Sequence, residues 1–237
     1  MGKKWIVDFS FILGMGLLMI AGNLSAQEVQ KKQEVVTKNY KFNDGIYFSF
    51  SDFQKNSPVL AWDEMQGNIF SNPEAFTVKA EILKRKSTGP TQENLLDSIW
   101  GFTMGGIPYI KIEQEKKEPL TLFAGMRVRG KLCYFTYEVR EEKEIVFSAY
   151  NPVTYQPFRS SKEKRNMKIK KEKIILFETG KVIDYNYENM AVILQDDPTI
   201  FRALNQIEDW ELEEKMFKCL LIYNDRHDVT TIASNPN

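Results

Sequence analysis

The hydrophobic positions of this chain change period twice. A continuous apolar run from Phe9 to Gly22 comes first, a period of two dominates from Ile46 to Tyr185, and a period between three and four follows. The middle region therefore predicts strands. Ile46-Tyr47-Phe48-Ser49-Phe50 is an aromatic β run behind the turn signal Asn43-Asp44-Gly45, and Phe76 to Ile82 alternates apolar with polar residues. Ser51 to Pro58 reads as one short helical turn. Ser98 to Met104 and Ile107 to Ile112 flank Gly105-Gly106, two residues free to take the positive φ of a tight hairpin. Pro108 brings no ladder donor, so its strand is expected at an edge, or with that position facing outward. Leu120 to Val128 and Lys131 to Val139 predict a hairpin about Arg129-Gly130, and Glu144 to Tyr150 continues the pattern. Ile174 to Phe177 and Val182 to Tyr185 form a further strand–turn–strand unit across Glu178 to Lys181.

After Tyr185 the pattern turns helical. Asn189 to Leu194 predicts a short helix, and Asp196-Asp197-Pro198 supplies an N-cap with proline at the first helical position. Leu212, Met216, Cys219, Leu220 and Tyr223 fall on one face of a third helix, whose first turns carry Glu208, Asp209, Glu211, Glu213 and Glu214 where the helix dipole favours acids. Strands first and helices last predict an α+β fold. The expected architecture is a mostly antiparallel β-sheet, as a sheet, sandwich or partial barrel, with the C-terminal helices packed on it. A β-rich region over 41–185 and a helical region over 186–229 belong to one domain, followed by a tail over 230–237. No repeat at solenoid or propeller period is visible.

The first apolar run is too short for the same treatment. It spans 14 residues, against about 20 for a membrane-crossing helix, follows Lys3-Lys4, and precedes Ser25-Ala26. That order predicts a secretory signal peptide cleaved after Ala26, with an uncleaved anchor as the alternative. Residues 27–40 are polar and predict a flexible leader, with order beginning at about Phe42. No later run approaches membrane-spanning length, so no transmembrane segment is expected in the exported chain.

Composition narrows the chemistry. The whole chain carries 32 basic and 32 acidic residues, and removal of the first 26 leaves 30 and 31. This neutrality argues against nucleic acid as a partner, because phosphate binding needs a basic surplus. It conceals a segregation. Ser161 to Lys173 holds seven bases and two acids, whereas residues 184–214 hold nine acids and one base. Lys164, Arg165, Lys168, Lys170 and Lys171 are thus candidates for contact with an anionic lipid or glycan, against the alternative of a solvated strand edge protected by lysines.

One histidine and two cysteines exclude the usual zinc sets within one chain, and no metal or cofactor is expected. His227 is placed at the end of the last helix, where a cation near the free carbonyls is favoured. No G-x-S-x-G elbow, H-E-x-x-H or phosphate loop occurs. A carboxylate-pair hydrolase needs only two placed acids, for which Asp63-Glu64 and Asp196-Asp197 can be nominated, although capping explains the second pair. Export makes a Cys133–Cys219 disulfide chemically allowed, and two buried free thiols are the alternative. Tyr47, Trp62, Trp100 and Tyr109 are candidates for an aromatic ligand platform, with core packing as the competing account.

Asp44 to Pro58, Ile99-Trp100-Gly101-Phe102, Phe177 to Lys181 through Asn189-Met190, and Tyr223-Asn224-Asp225-Arg226-His227 together resemble a family of uncharacterised exported proteins of Bacteroides-type Gram-negative bacteria, whose signal peptides often end in Ser-Ala-Gln as here. The resemblance covers most of residues 40–228 and implies a domain of unknown function, with no catalytic residue to carry over. The expected function is a non-enzymatic envelope protein, in the periplasm or at the cell surface, that binds a protein, glycan or lipid. The alternative is a hydrolase acting on envelope or glycan substrates through a carboxylate pair or His227. Oligomeric state is open at this point.

Overall fold

A computed structural model describes residues 33–86, 94–114 and 118–232. The expected signal peptide lies outside these residues. Among the described residues nine strands, all paired antiparallel, form a sheet that curls into a half-barrel, and three helices follow it, so the α+β expectation holds.

The strands are β1 (Gly45–Tyr47), β2 (Met65–Asn72), β3 (Thr77–Arg85), β4 (Gly101–Met104), β5 (Ile107–Lys111), β6 (Thr121–Val128), β7 (Leu132–Tyr150), β8 (Pro157–Leu176) and β9 (Val182–Asp184). Their main order is β1-β4-β5-β6-β7-β8-β9. The sheet divides at β6, whose first half pairs with β3 and whose end pairs with β7. Gly105 and Gly106 take φ of 63° and 77° and close the β4–β5 hairpin as their sequence predicts. Pro108 sits opposite Thr103, one residue outside the β5–β6 ladder that starts at Tyr109, so no bond is lost to its missing N–H.

Helix α1 (Phe50–Gln54) cuts short the β run expected through Phe50. Ser49 is its N-cap: the Ser49 hydroxyl accepts from Asp52 N–H, and the Asp52 side chain accepts from Ser49 N–H, a reciprocal box that outweighs the β propensity of two aromatics. The later helices are α2 (Tyr187–Ile193), α3 (Pro198–Asn205) and α4 (Leu212–Arg226). Asp197 caps α3 by accepting from Thr199 and Ile200, and α4 buries Met216, Cys219, Leu220 and Tyr223, the stripe read from the sequence.

Alternation along the strands sorts the core into three clusters. Leu122, Ala124 and Met126 of β6 join Cys133, Phe135 and Ile175 with Phe53 of α1, while Phe123 faces the opposite way toward Phe102 and Tyr109. Leu132, Tyr134 and Ile174 form the floor on which α2, α3 and α4 pack. The root of β7–β8 is therefore covered on both faces. This explains why Leu132 to Phe135 reads as a continuous apolar run rather than an alternating one.

Order begins earlier than Phe42. Val35 bridges Thr230, Val36 N–H donates to the Val229 carbonyl at 2.7 Å, and Thr231 N–H donates to the Glu34 carbonyl at 2.9 Å. Val36 is buried, so one short apolar pair anchors part of a leader whose polar composition suggested mobility, and residues 230–232 are a paired segment rather than a tail. β2 escaped the sequence reading altogether. Its Gly67, Asn68 and Asn72 are poor strand formers, and eight register pairs with β3 supply the order.

Candidate functional site

The four aromatics nominated as a platform do not converge. Tyr47 and Trp100 pack in the cluster around Phe53, where Trp100 stacks on Phe53 at 4.9 Å and the Tyr47 hydroxyl donates to the Asn43 carbonyl at 2.6 Å. Trp62 and Tyr109 belong to the cluster on the other side, where both rings pack on Phe102, and Trp62 Nε1 donates to the Thr103 carbonyl at 2.7 Å. Core packing accounts for all four. Cys133 and Cys219 are free and buried in different clusters, so the disulfide does not form. Burial pushes the Cys133 thiol up to about 12, and burial also raises Cys219.

His227 ends α4, where its N–H donates to the Tyr223 carbonyl and its ring stacks on Tyr223 at 4.2 Å. Its Nε2 lies 3.2 Å from Asp197 Oδ2, the oxygen that Arg226 Nε also reaches at 3.1 Å. Desolvation works to raise the Asp197 carboxyl, but N–H donation from Ile200, His227, Arg226 and Thr199 together hold it below the usual range. Among the described residues no serine, threonine or cysteine bonds the imidazole, so this His–Asp contact ties α4 to the start of α3 and lacks a nucleophile. Asp196 is likewise engaged, accepting from the Tyr223 hydroxyl at 2.7 Å, and Glu64 is paired with Arg85. A pocket of about 190 Å³ beside Arg129, Leu221 and Asp228 falls below the roughly 300 Å³ at which small-molecule sites begin.

The basic run has a different setting. Expected as a solvated loop and strand edge, it is the middle of β8, which forms one long hairpin with β7 from Leu132↔Leu176 to Tyr150↔Pro157, its register shifting once, between Ala149 and Tyr150. No residue from Arg140 to Lys168 is buried. At about 3.3 Å per residue, eleven residues of each strand project roughly 35 Å beyond the body. The five nominated cations are all paired with acids. Lys164 meets Glu142 at 2.9 Å, Arg165 meets Glu163 at 3.0 Å, Lys168 meets Glu138 at 3.7 Å, Lys170 meets Glu172 at 2.7 Å and Lys171 meets Glu141 at 2.6 Å. Three of these acids stand on β7 and two on β8 itself, so the local surplus seen along one strand is offset in part by its neighbour. Bonding to Lys171 holds the Glu141 carboxyl below the usual range, and bonding to Glu142 raises the Lys164 ammonium. Exposed pairs of this kind add little stability, but they fix the register of the ribbon.

No family model, curated protein or solved structure matches the chain. The arm must therefore be judged on its own chemistry.

Its tip is apolar. Val153 is 84% exposed, Tyr155 79% and Phe158 69%, with Tyr150, Val146 and Phe147 also exposed below them. Asn151 organises the turn: its side chain accepts from Val153 and Thr154, and its carbonyl accepts from Tyr155, which takes a positive φ of 55°. No acid lies between Glu144 and Glu163, and Arg159 and Lys162 are the cations of that stretch. Along the shaft one face carries Val139, Ile145, Phe147, Met167 and Ile169 interleaved with Glu141, Lys143, Glu163 and Arg165, and the other carries Glu138, Glu142 and Glu144 with Lys162, Lys164, Lys168 and Lys170. A two-stranded ribbon exposed on both faces is marginal in water, and single-copy proteins rarely display such a concentration of large apolar groups. Among the described residues no helix is long and apolar enough to cross a membrane, and no group of three or more His, Cys, Asp or Glu gathers to hold a metal.

Proposed function

We propose that this is an exported, non-enzymatic binding protein of the cell envelope that holds a macromolecular partner through the β7–β8 arm. The observation that carries the reading is the arm itself: a long ribbon with both outer edges unpaired beyond its root, a charge-keyed shaft and an apolar tip. Edges of this kind are templates for strand pairing, and exposed aromatics mark contact surfaces. The Lys-Lys, apolar and Ser-Ala order of the first 26 residues supports export. Full engagement of Asp197 and the small size of the pocket favour binding over hydrolysis.

The test is covalent capture in cells that produce the protein. A photoreactive phenylalanine analogue at Tyr155 or Phe158 is expected to give discrete adducts, and the same analogue at Val192, exposed on α2, is expected to give none. Adducts that form equally at all three positions, or at none, would overturn the reading.

A further inference from the structure

The outer edge of β7 carries a pattern that selects one occupant. β7 pairs with β6 through Tyr134 and Phe135, and Thr136 is buried beside Arg127, so this edge is open from Tyr137 to Tyr150. We propose that it pairs antiparallel with the same edge of a second copy of this chain, about a two-fold axis through Glu142. The inference rests on the reading of the arm as a docking element and names its partner.

The register follows from the pleat. In an antiparallel pair the directly opposed residues share a face of the sheet, so a two-fold axis must pass through a residue and relate positions of the same parity. Centred on Glu142, one face opposes Tyr137 to Phe147, Val139 to Ile145 and Glu141 to Lys143. The other opposes Arg140 to Glu144 and Glu138 to Val146. Val139 meets Ile145, Tyr137 meets Phe147 and each of these cations meets an acid, with Val146 opposite Glu138 the one mixed pair. Glu142 faces its own copy, and each Glu142 is already bonded to its own Lys164 at 2.9 Å.

Neighbouring registers fail by charge. Centring on Glu141 sets Glu138 against Glu144 on both sides of the axis; centring on Lys143 sets Glu142 against Glu144 and Lys143 against itself. The edge of β8 is less suited to a two-fold pairing: residues 157–172 carry seven bases and two acids, and even centred on Met167, where Lys162 meets Glu172 and Glu163 meets Lys171, the pairing sets Lys164 against Lys170 and joins no two apolar residues off the axis. A second observation agrees. Among the described residues Arg140 and Lys143 close no ion pair within the chain, and they are the two cations that the Glu142 register places opposite acids. Charges that block indiscriminate edge pairing here admit a complementary edge. Eleven opposed positions would make about ten to twelve backbone hydrogen bonds. They also carry each apolar tip to the root of the other copy's arm.

The test uses the exported chain, residues 27–237, by sedimentation and by cysteine pairing. A dimer is expected at micromolar concentration. Arg140→Glu should weaken it at least tenfold, Glu144→Arg should do the same, and the double variant should restore it to within about threefold, because the exchanged charges still face each other across the axis. Glu142→Cys should form an intermolecular disulfide, its opposed Cα atoms lying within the roughly 4.4–6.8 Å that bonding needs, and Glu138→Cys should form none. Circular dichroism of each variant separates weakened pairing from a lost arm. A monomer, a ring or filament of higher order, or equal disulfide formation at both positions would overturn the inference. A monomer whose Tyr155 position still labels another cellular protein sinks the two-fold pairing alone, whereas loss of all labelling sinks the docking reading with it.

Discussion

Asn224→Ala should cost the protein a large part of its stability, although Asn224 is neither apolar nor fully buried. Its Oδ1 accepts from Leu132 N–H at 2.8 Å and its Nδ2 donates to the Leu132 carbonyl at 2.9 Å, so one amide clamps α4 onto the first residue of β7. The approach is close because Gly130 stands opposite, where a Cβ would meet Asn224 Cγ at 2.7 Å. Leu132 is 1% exposed, so truncation leaves two buried backbone groups without partners, each costing about 1–3 kcal/mol. Water entering from the open side of the side chain recovers part, which places the loss at about 2–4 kcal/mol. For a body of this size that lowers Tm by roughly 5–15 °C. Asn224→Asp keeps the acceptor but sets an oxygen against the Leu132 carbonyl, and should lose at least half as much. Urea unfolding followed by tryptophan fluorescence, with m-values compared, reads the difference directly. A loss below about 0.5 kcal/mol at unchanged m would show that the clamp carries no weight.

Phe53→Ala removes the ring on which Phe42 and Trp100 stack at 4.4 and 4.9 Å, and should cost about 3–5 kcal/mol in the same assay. Alkaline pH should destabilise the body: the folded Cys133 thiol is raised from 9.0 to about 12 by burial, so its contribution is complete below pH 9 and is lost as pH climbs toward 12, visible as a falling urea midpoint. At pH 8 neither thiol should react with a disulfide reagent until the protein unfolds, when both should. Replacing Glu141–Met167 by Asn-Gly leaves Arg140 opposite Lys168 and should change stability by less than about 1 kcal/mol, because none of the deleted residues is buried; a collapse of the thermal transition would make the arm part of the fold.

Local chemistry was legible where it is self-contained. Gly105-Gly106 dictates its own turn, Asp197-Pro198 its own helix start, and the stripe from Leu212 to Tyr223 its own buried face. The arm was legible only in part. Lysine and glutamate are poor strand formers, so β8 reads as a loop when taken alone, and what makes it a strand is the acidic run of β7 on the other side of the turn. The signal was present as a mirror: Glu144 with Lys162, Glu142 with Lys164 and Glu138 with Lys168 are related about the Asn151 to Gln156 turn. Reading each run for its own net charge hides that symmetry. The anchoring of Val36 was illegible for a related reason, since its partner Val229 stands at the far end of the sequence.

That last pairing also governs how the body can be made. Bonds between residues 34–36 and 229–231 join segments separated by up to 197 positions in the chain, among the most non-local contacts of the described residues. Such contacts form only after the intervening loop has closed, which slows folding. A chain emerging from the ribosome cannot form this seal until residues 229–231 have been synthesised, so these bonds are among the last the body can make.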